Sequence, residues 1–390
     1  MKRGLVAAKT AISDKSFRFC STVDITKHIG QFSPEHSWFL SRAMFITEKI
    51  ENTRSKTARA IRTLFNFLFC ISCKKAASSE KKSIVCTTFP EYDWVINILG
   101  EKTSNFDVTL LQNNGTDLHS YQPSVKDIAK ISKADLFVYV GGESDEWVEK
   151  VLSQSVNKNQ VAVNILEVLG DKVCEEEIVE GMQAEKEKEH EHHHHNDEEA
   201  EEHHHHEDKE EPEYDEHVWL SLNNAIDISK ILCEEICKID GANSVAYRKN
   251  LASYTKQLAA LDEEYKSAVK SAKKNTVLFG DRFPFRYLTD DYGLKYFAAF
   301  VGCSAESEAS FETITFLAKK LDELGLNAVL TIEKSDKKIA RTIVLTTKNK
   351  NQQVLEMDSL QSITTKEIND GRNYLSAMKK NLEVLKKALN

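Results

Sequence analysis

The sequence predicts an α/β protein: two (β/α) lobes with parallel sheets, joined by one long rigid helix. Three observations carry that expectation. β-rich runs alternate with helical stretches of about ten residues, the pattern of βαβ units that build parallel sheets. Residues 244–274 interrupt this alternation with apolar side chains at three- to four-residue spacing and no Gly or Pro. No run approaches the roughly 18 to 20 apolar residues that a membrane-spanning helix needs, so an integral transporter or channel is excluded.

In chain order, residues 1–73 read as an N-terminal extension plus an export signal. Residues 64–72 form a short apolar run that ends at Cys73, and Lys49, Arg54, Lys56, Arg59 and Arg62 lie upstream. A basic region, a short apolar region and a cysteine after a small residue are the marks of a lipoprotein signal, which makes Cys73 the lipidation site. Residues 1–43 precede any ordinary signal, and Met44 is a candidate start.

The N-terminal lobe is expected over residues 83–240. Strands are predicted at 83–89, 106–111, 135–140 and 160–166, with helices at 91–99, 124–132 and 143–156. Within 244–274, Val245, Leu251, Tyr254, Leu258, Leu261, Tyr265 and Val269 mark one apolar face of a helix near 45 Å long at 1.5 Å per residue. The alternation resumes in a C-terminal lobe, residues 275–390. Strands are predicted there at 276–279, 295–300, 327–332 and 353–356, and a helix at 374–389 closes the chain.

Charge is unevenly spread. Residues 175–216 hold 20 acidic side chains against three lysines, a local balance of −17 in a chain whose net is −9, so the remainder carries about +8. Outside a short N-terminal stretch no basic cluster forms, which argues against nucleic-acid binding. The same insert holds nine of the 13 histidines: His190, His192, His193, His194, His195, His203, His204, His205 and His206. It has too little apolar area to offset its ordering entropy, so a solvated loop is expected. Imidazole suits zinc, copper and nickel, and the carboxylates concentrate cations, so the loop reads as a low-affinity metal collector; the plainer alternative is an acidic spacer. Cysteine usage adds little. Beyond Cys20, Cys70 and Cys73, the five at 86, 174, 233, 237 and 303 form no CxxC pair and give no disulfide framework.

Ligands of open parallel sheets sit at the carboxyl ends of strands. His119 follows the second predicted strand, and His217 follows the acidic loop. Asp281 ends the first strand after the long helix, and Asp358 ends the last strand. Singly, such residues are more often scaffold than ligand; together, at one end of two sheets, they make a candidate metal site.

The segments GTDLHSYQPS, GGESDEW, DEHVWLSLNNA and NYLSAMKKNLEVLKKAL resemble the metal-specific solute-binding proteins of bacterial ABC importers, most closely the zinc-binding members. The resemblance covers residues 83–390. It implies two α/β lobes with a metal held between them, and it maps the first two histidine ligands onto His119 and His217 and the C-terminal carboxylate onto Asp358. At the third ligand position it places Arg282, which cannot coordinate a cation; Asp281, one residue away, is the substitute. Glu306, Glu308 and Glu333 match acidic positions of the family and are read as supporting residues, with Arg282 as their partner.

The resemblance thus implies an extracytoplasmic, high-affinity zinc receptor that delivers Zn2+ to an ABC-type membrane permease. It would be a monomer in the periplasm or on the cell membrane, touching the membrane only through a lipid anchor. Two carboxylates would also tolerate manganese. The alternatives are a zinc hydrolase, for which no GxSxG or phosphate-binding glycine loop is present, and a surface metal-storage or adhesin lipoprotein.

Overall fold

The computed structural model describes residues 81–183, 213–304 and 308–390. The export signal with Cys73, the nine loop histidines and Glu306 lie outside the described residues. The N-terminal sheet is built from β1 (Lys82–Cys86), β2 (Phe106–Leu110), β3 (Leu136–Tyr139) and β4 (Val161–Asn164). All pairs are parallel, in the order β2-β1-β3-β4. The C-terminal sheet repeats that order with β5 (Thr276–Phe283), β6 (Lys295–Val301), β7 (Ala328–Thr331) and β8 (Gln353–Glu356), again all parallel, as β6-β5-β7-β8. The predicted fold class is the observed one.

Local chemistry sets where each unit turns. β1 ends where Thr87 and Thr88 meet Glu91, whose carboxylate accepts from both backbone N–H groups at 2.9 and 3.0 Å. This satisfies orphan donors at the start of α1 (Phe89–Leu99), so the helix opens two residues before the predicted 91. The predicted helix over 143–156 is shorter. A single 3-10 turn at Glu143–Asp145 precedes α2 (Trp147–Ser153), because the buried Asp145 carboxylate accepts from the N–H groups of Val140 and Gly141 instead of facing a helix.

Two helices follow the N-terminal sheet in the chain: α3 (Leu222–Ile239) and the linking helix α4 (Ser244–Ser271). The linking helix has 28 residues, about 42 Å at 1.5 Å per residue. It stops three residues before the predicted 274, since Ala272 is extended and Lys274 N–H bonds the carbonyl of Leu389. Its buried face holds Tyr247, Tyr254, Leu258, Leu261 and Tyr265. Val245, expected on that face, is instead 82% exposed; Tyr247, half a turn on, takes the inward direction and donates to Asp240 at 2.6 Å. Burying each leucine contributes about 1.5–3 kcal/mol. The tyrosines add register: Tyr265 donates to the Met378 carbonyl at 2.6 Å and stacks on Tyr292, with ring centroids 5.0 Å apart.

The helix therefore touches both halves. Tyr254 reaches Asp93 on α1 at 3.4 Å, and Tyr265 reaches the closing helix α5 (Tyr374–Ala388). Asp93 also accepts from the backbone N–H of Tyr374. Among the described residues, no helix is long and apolar enough to cross a membrane.

Candidate metal centre

In each sheet the strand order reverses beside its first strand, and the loops leaving the carboxyl ends open a crevice there. His119 lies in the loop after β2, on a one-turn 3-10 helix anchored by buried Leu118 and capped by Asp117, which accepts from His119 N–H at 3.1 Å. His217 is fully buried where the chain returns from the acidic segment. Three apolar residues after it, Val218, Trp219 and Leu220, are buried in the core, and Ser221 then caps α3 by accepting from Asn224 N–H. Trp219 donates to the Ser359 carbonyl at 2.8 Å, tying this segment to the C-terminal lobe.

These two anchors bring His119 Nε2 and His217 Nε2 to 3.2 Å, although the residues are far apart in sequence. Around a tetrahedral zinc with N–Zn bonds of 2.0–2.1 Å, two nitrogens stand about 3.3 Å apart. The opposite edge of each ring is held by the N-terminal lobe. His217 Nδ1 lies 2.8 Å from Asp215. His119 Nδ1 lies 2.9 Å from the Ser144 hydroxyl and 3.5 Å from Glu216 Oε2, a buried oxygen with no hydrogen-bond partner. Glu216 Oε1 accepts from Ser144 N–H at 2.8 Å. Carboxylates behind imidazoles in this way fix the ring tautomer and turn the Nε2 lone pairs toward a cation. Gly142, at φ +76°, makes room for this: a Cβ there would lie 2.3 Å from Glu216 Oε1.

The electrostatics follow from these contacts. Burial first, then the neighbouring His217 charge, pushes the pKa of His119 down to about 3, so its ring is neutral. Burial also opposes charge on His217, but Asp215 outweighs it and raises that pKa. His217 Nε2 faces His119 Nε2 and, with the Gln361 amide turned to satisfy its neighbours, lies 2.9 Å from the Gln361 oxygen. Glu216 is raised to about 7 by burial.

The C-terminal lobe contributes differently. Arg282 forms an ion pair with Asp117 across the lobes. Burial works against that carboxylate's charge, but Arg282 and then His119 hold its pKa below the usual range. Asp281 does not join the histidines. It sits at a bulge in β5, its Oδ1 accepts from the N–H of Arg282, and its Oδ2 is buried without a hydrogen-bond partner. Asp358 also lies apart, ion-paired with Arg372 and accepting from Leu360 N–H in a second cavity that Glu333 and Glu367 help line. Glu333 does not pair with Arg282 as expected; its carboxylate accepts from the Ser359 hydroxyl and N–H, both at 2.7 Å. Glu308 is exposed, and its backbone carbonyl faces Gln183.

Among the described residues, one group of metal-ligating side chains has donor atoms within 4.8 Å of one another: His119, His217 and Cys303. Cys303 follows β6, and its N–H donates to Glu176 at 3.2 Å. Burial, and then Glu176, raises its thiol pKa well above the ordinary value. Spacing could not reveal it, because it stands alone in sequence. The rule that drew attention to His119, a ligand-type residue just past a strand, would have found it had it been applied to cysteine. Gln361 and Asp117 gave no sequence signal beyond polarity.

Residues 84–388 match the family described as ZnuA, zinc-uptake complex component A, periplasmic. A high-affinity zinc uptake system protein ZnuA of Bacillus subtilis is 31% identical over 320 residues, which cover 82% of this chain and 91% of that protein. The zinc-binding protein AdcA of Streptococcus pyogenes is 29% identical over 313 residues, 80% of this chain; the chain spans only 57% of that relative's length. The Zn(II)-bound ZnuA-like domain of Streptococcus pneumoniae AdcA superposes with a TM-score of 0.60 at 26% identity, covering 80% of this chain and 99% of that one. A match this long, on a fold of two parallel sheets bridged by one helix, means that the chain belongs to the ZnuA family.

Proposed function

We propose that this chain is an extracytoplasmic, high-affinity zinc receptor that hands Zn2+ to an ABC-type membrane permease. The observation that carries the reading is the His119–His217 pair: two Nε2 atoms 3.2 Å apart, each ring backed by a carboxylate. Family membership supports the role, and the ion is cargo rather than a catalyst. Two imidazoles favour zinc over manganese, which prefers all-oxygen sites. Attachment through a lipid on Cys73 and a monomeric state belong to the same reading.

Calorimetric titration of the full chain after chelation tests it. One tight zinc ion per chain is expected. His119→Ala should weaken that ion by at least the roughly 10- to 100-fold that loss of a supporting partner alone costs. An unchanged zinc affinity in His119→Ala contradicts the assignment, and zinc-dependent hydrolase activity abolished by chelator would favour an enzyme.

A further inference from the structure

Resting on the receptor reading, we infer that Cys303 supplies the third ligand as a thiolate, so that this chain binds zinc through two imidazoles and one sulfur. Most other nearby donors are already engaged. Asp215 holds His217 Nδ1, and Glu216 holds Ser144 and faces His119 Nδ1. Asp117 is neutralised by Arg282. Asp281 bonds its neighbour's backbone through Oδ1, and although its Oδ2 is unpartnered it is not gathered with the histidines; Asp358 is paired with Arg372. Cys303 Sγ lies within 4.8 Å of a ring nitrogen of each histidine.

Chain geometry explains why the ligand comes from this position. Arg282 and Phe283 of β5 pair with Phe300 and Val301 of β6, so Cys303 stands just beyond the neighbouring strand, beside the place where Arg282 excludes a ligand. Gly302 permits the approach: a Cβ there would lie 2.9 Å from the Phe283 carbonyl and 3.1 Å from His217 Cε1. Around a tetrahedral zinc, a thiolate sulfur stands about 3.6 Å from each nitrogen, given Zn–S near 2.3 Å. From a separation within 4.8 Å the sulfur needs to close by no more than about 1.2 Å, a shift within reach of a side-chain rotation at a strand end.

The exchange balances without an oxidant. Zn2+ forms bonds to Sγ and the two Nε2 atoms, the Cys303 thiol releases its proton to solvent, any proton on either Nε2 leaves likewise, and the sulfur keeps its oxidation state. A soft thiolate sharpens preference for zinc over manganese, which carboxylates would not.

The test uses the reduced full chain loaded with one equivalent of Co2+ as a spectroscopic stand-in for zinc. Wild type should show a near-ultraviolet thiolate-to-cobalt charge-transfer band that Cys303→Ser lacks. Zinc affinity in that variant should fall at least tenfold yet still depend on His119. A second readout needs no variant: stoichiometric zinc should protect Cys303 from alkylation, followed by mass spectrometry. If wild type binds one ion tightly with no charge-transfer band and with Cys303 still alkylated, the thiolate ligand is wrong and the receptor reading stands. If wild type binds no ion tightly, both fall.

Discussion

At the carboxyl ends of its strands the N-terminal lobe presents imidazole backed by buried carboxylate: His119 with Ser144 and Glu216, His217 with Asp215. The C-terminal lobe, built on the same parallel strand order, presents a guanidinium, an amide and a thiol: Arg282, Gln361 and Cys303. One topology thus places two crevices face to face, and side-chain chemistry divides the work. One lobe holds preoriented nitrogen donors; the other supplies charge control and closure. The difference teaches that the strand order fixes where a ligand sits, not what holds it.

The largest effect expected concerns how the two lobes are locked together. Asp93 on α1 is buried against Tyr254 of the linking helix and the Tyr374 backbone of the C-terminal lobe's last helix. Burial raises its pKa from 3.8 to about 6. A carboxyl raised on folding stabilises the fold fully below its unfolded pKa and loses that contribution as pH rises through the folded value. Between pH 3 and pH 8 the wild type should therefore lose about 3 kcal/mol relative to Asp93→Asn, at 1.36 kcal/mol per unit. Urea unfolding of both proteins at the two pH values reads this directly, and a pH-independent difference would remove Asp93 from the account.

The next effect separates orienting groups from ligands. Asp215→Ala leaves His217 in place but frees its ring, and should weaken zinc roughly 10- to 100-fold, or about 1.4–2.7 kcal/mol. Competition with a chelating dye measures it; an unchanged affinity would mean that Asp215 only stabilises the segment. The smallest effect tests the C-terminal lobe's charge. Arg282 is a fixed cation beside a cation site, so Arg282→Gln should tighten zinc by a few-fold, about 1 kcal/mol at an effective dielectric well above the dry interior's. Weaker binding in that variant would instead make the Asp117–Arg282 bridge a positive contributor to the site.

Much of this was legible in the chain itself. The eight strands declare themselves because parallel strands buried on both faces read as short apolar runs, such as Ile84–Val85–Cys86 and Val329–Leu330. The linking helix was equally visible, but its end was not: Lys273 and Lys274 continue a helical composition, and only the bond from Lys274 to Leu389 stops it. His119 and His217 stood out by position, and Arg282 by its conflict with a ligand role. Cys303, Gln361 and the Asp117–Arg282 pair were hidden because each acts through a neighbour more than 50 residues away, which only the folded sheets bring close.

The most direct measurement is anomalous diffraction at the zinc edge from crystals of the full chain grown with one equivalent of zinc. The account predicts a single strong peak bonded to His119 Nε2 and His217 Nε2. A peak in the cavity beside Asp358 and Glu333, with the two histidines still facing each other unbridged, would contradict it.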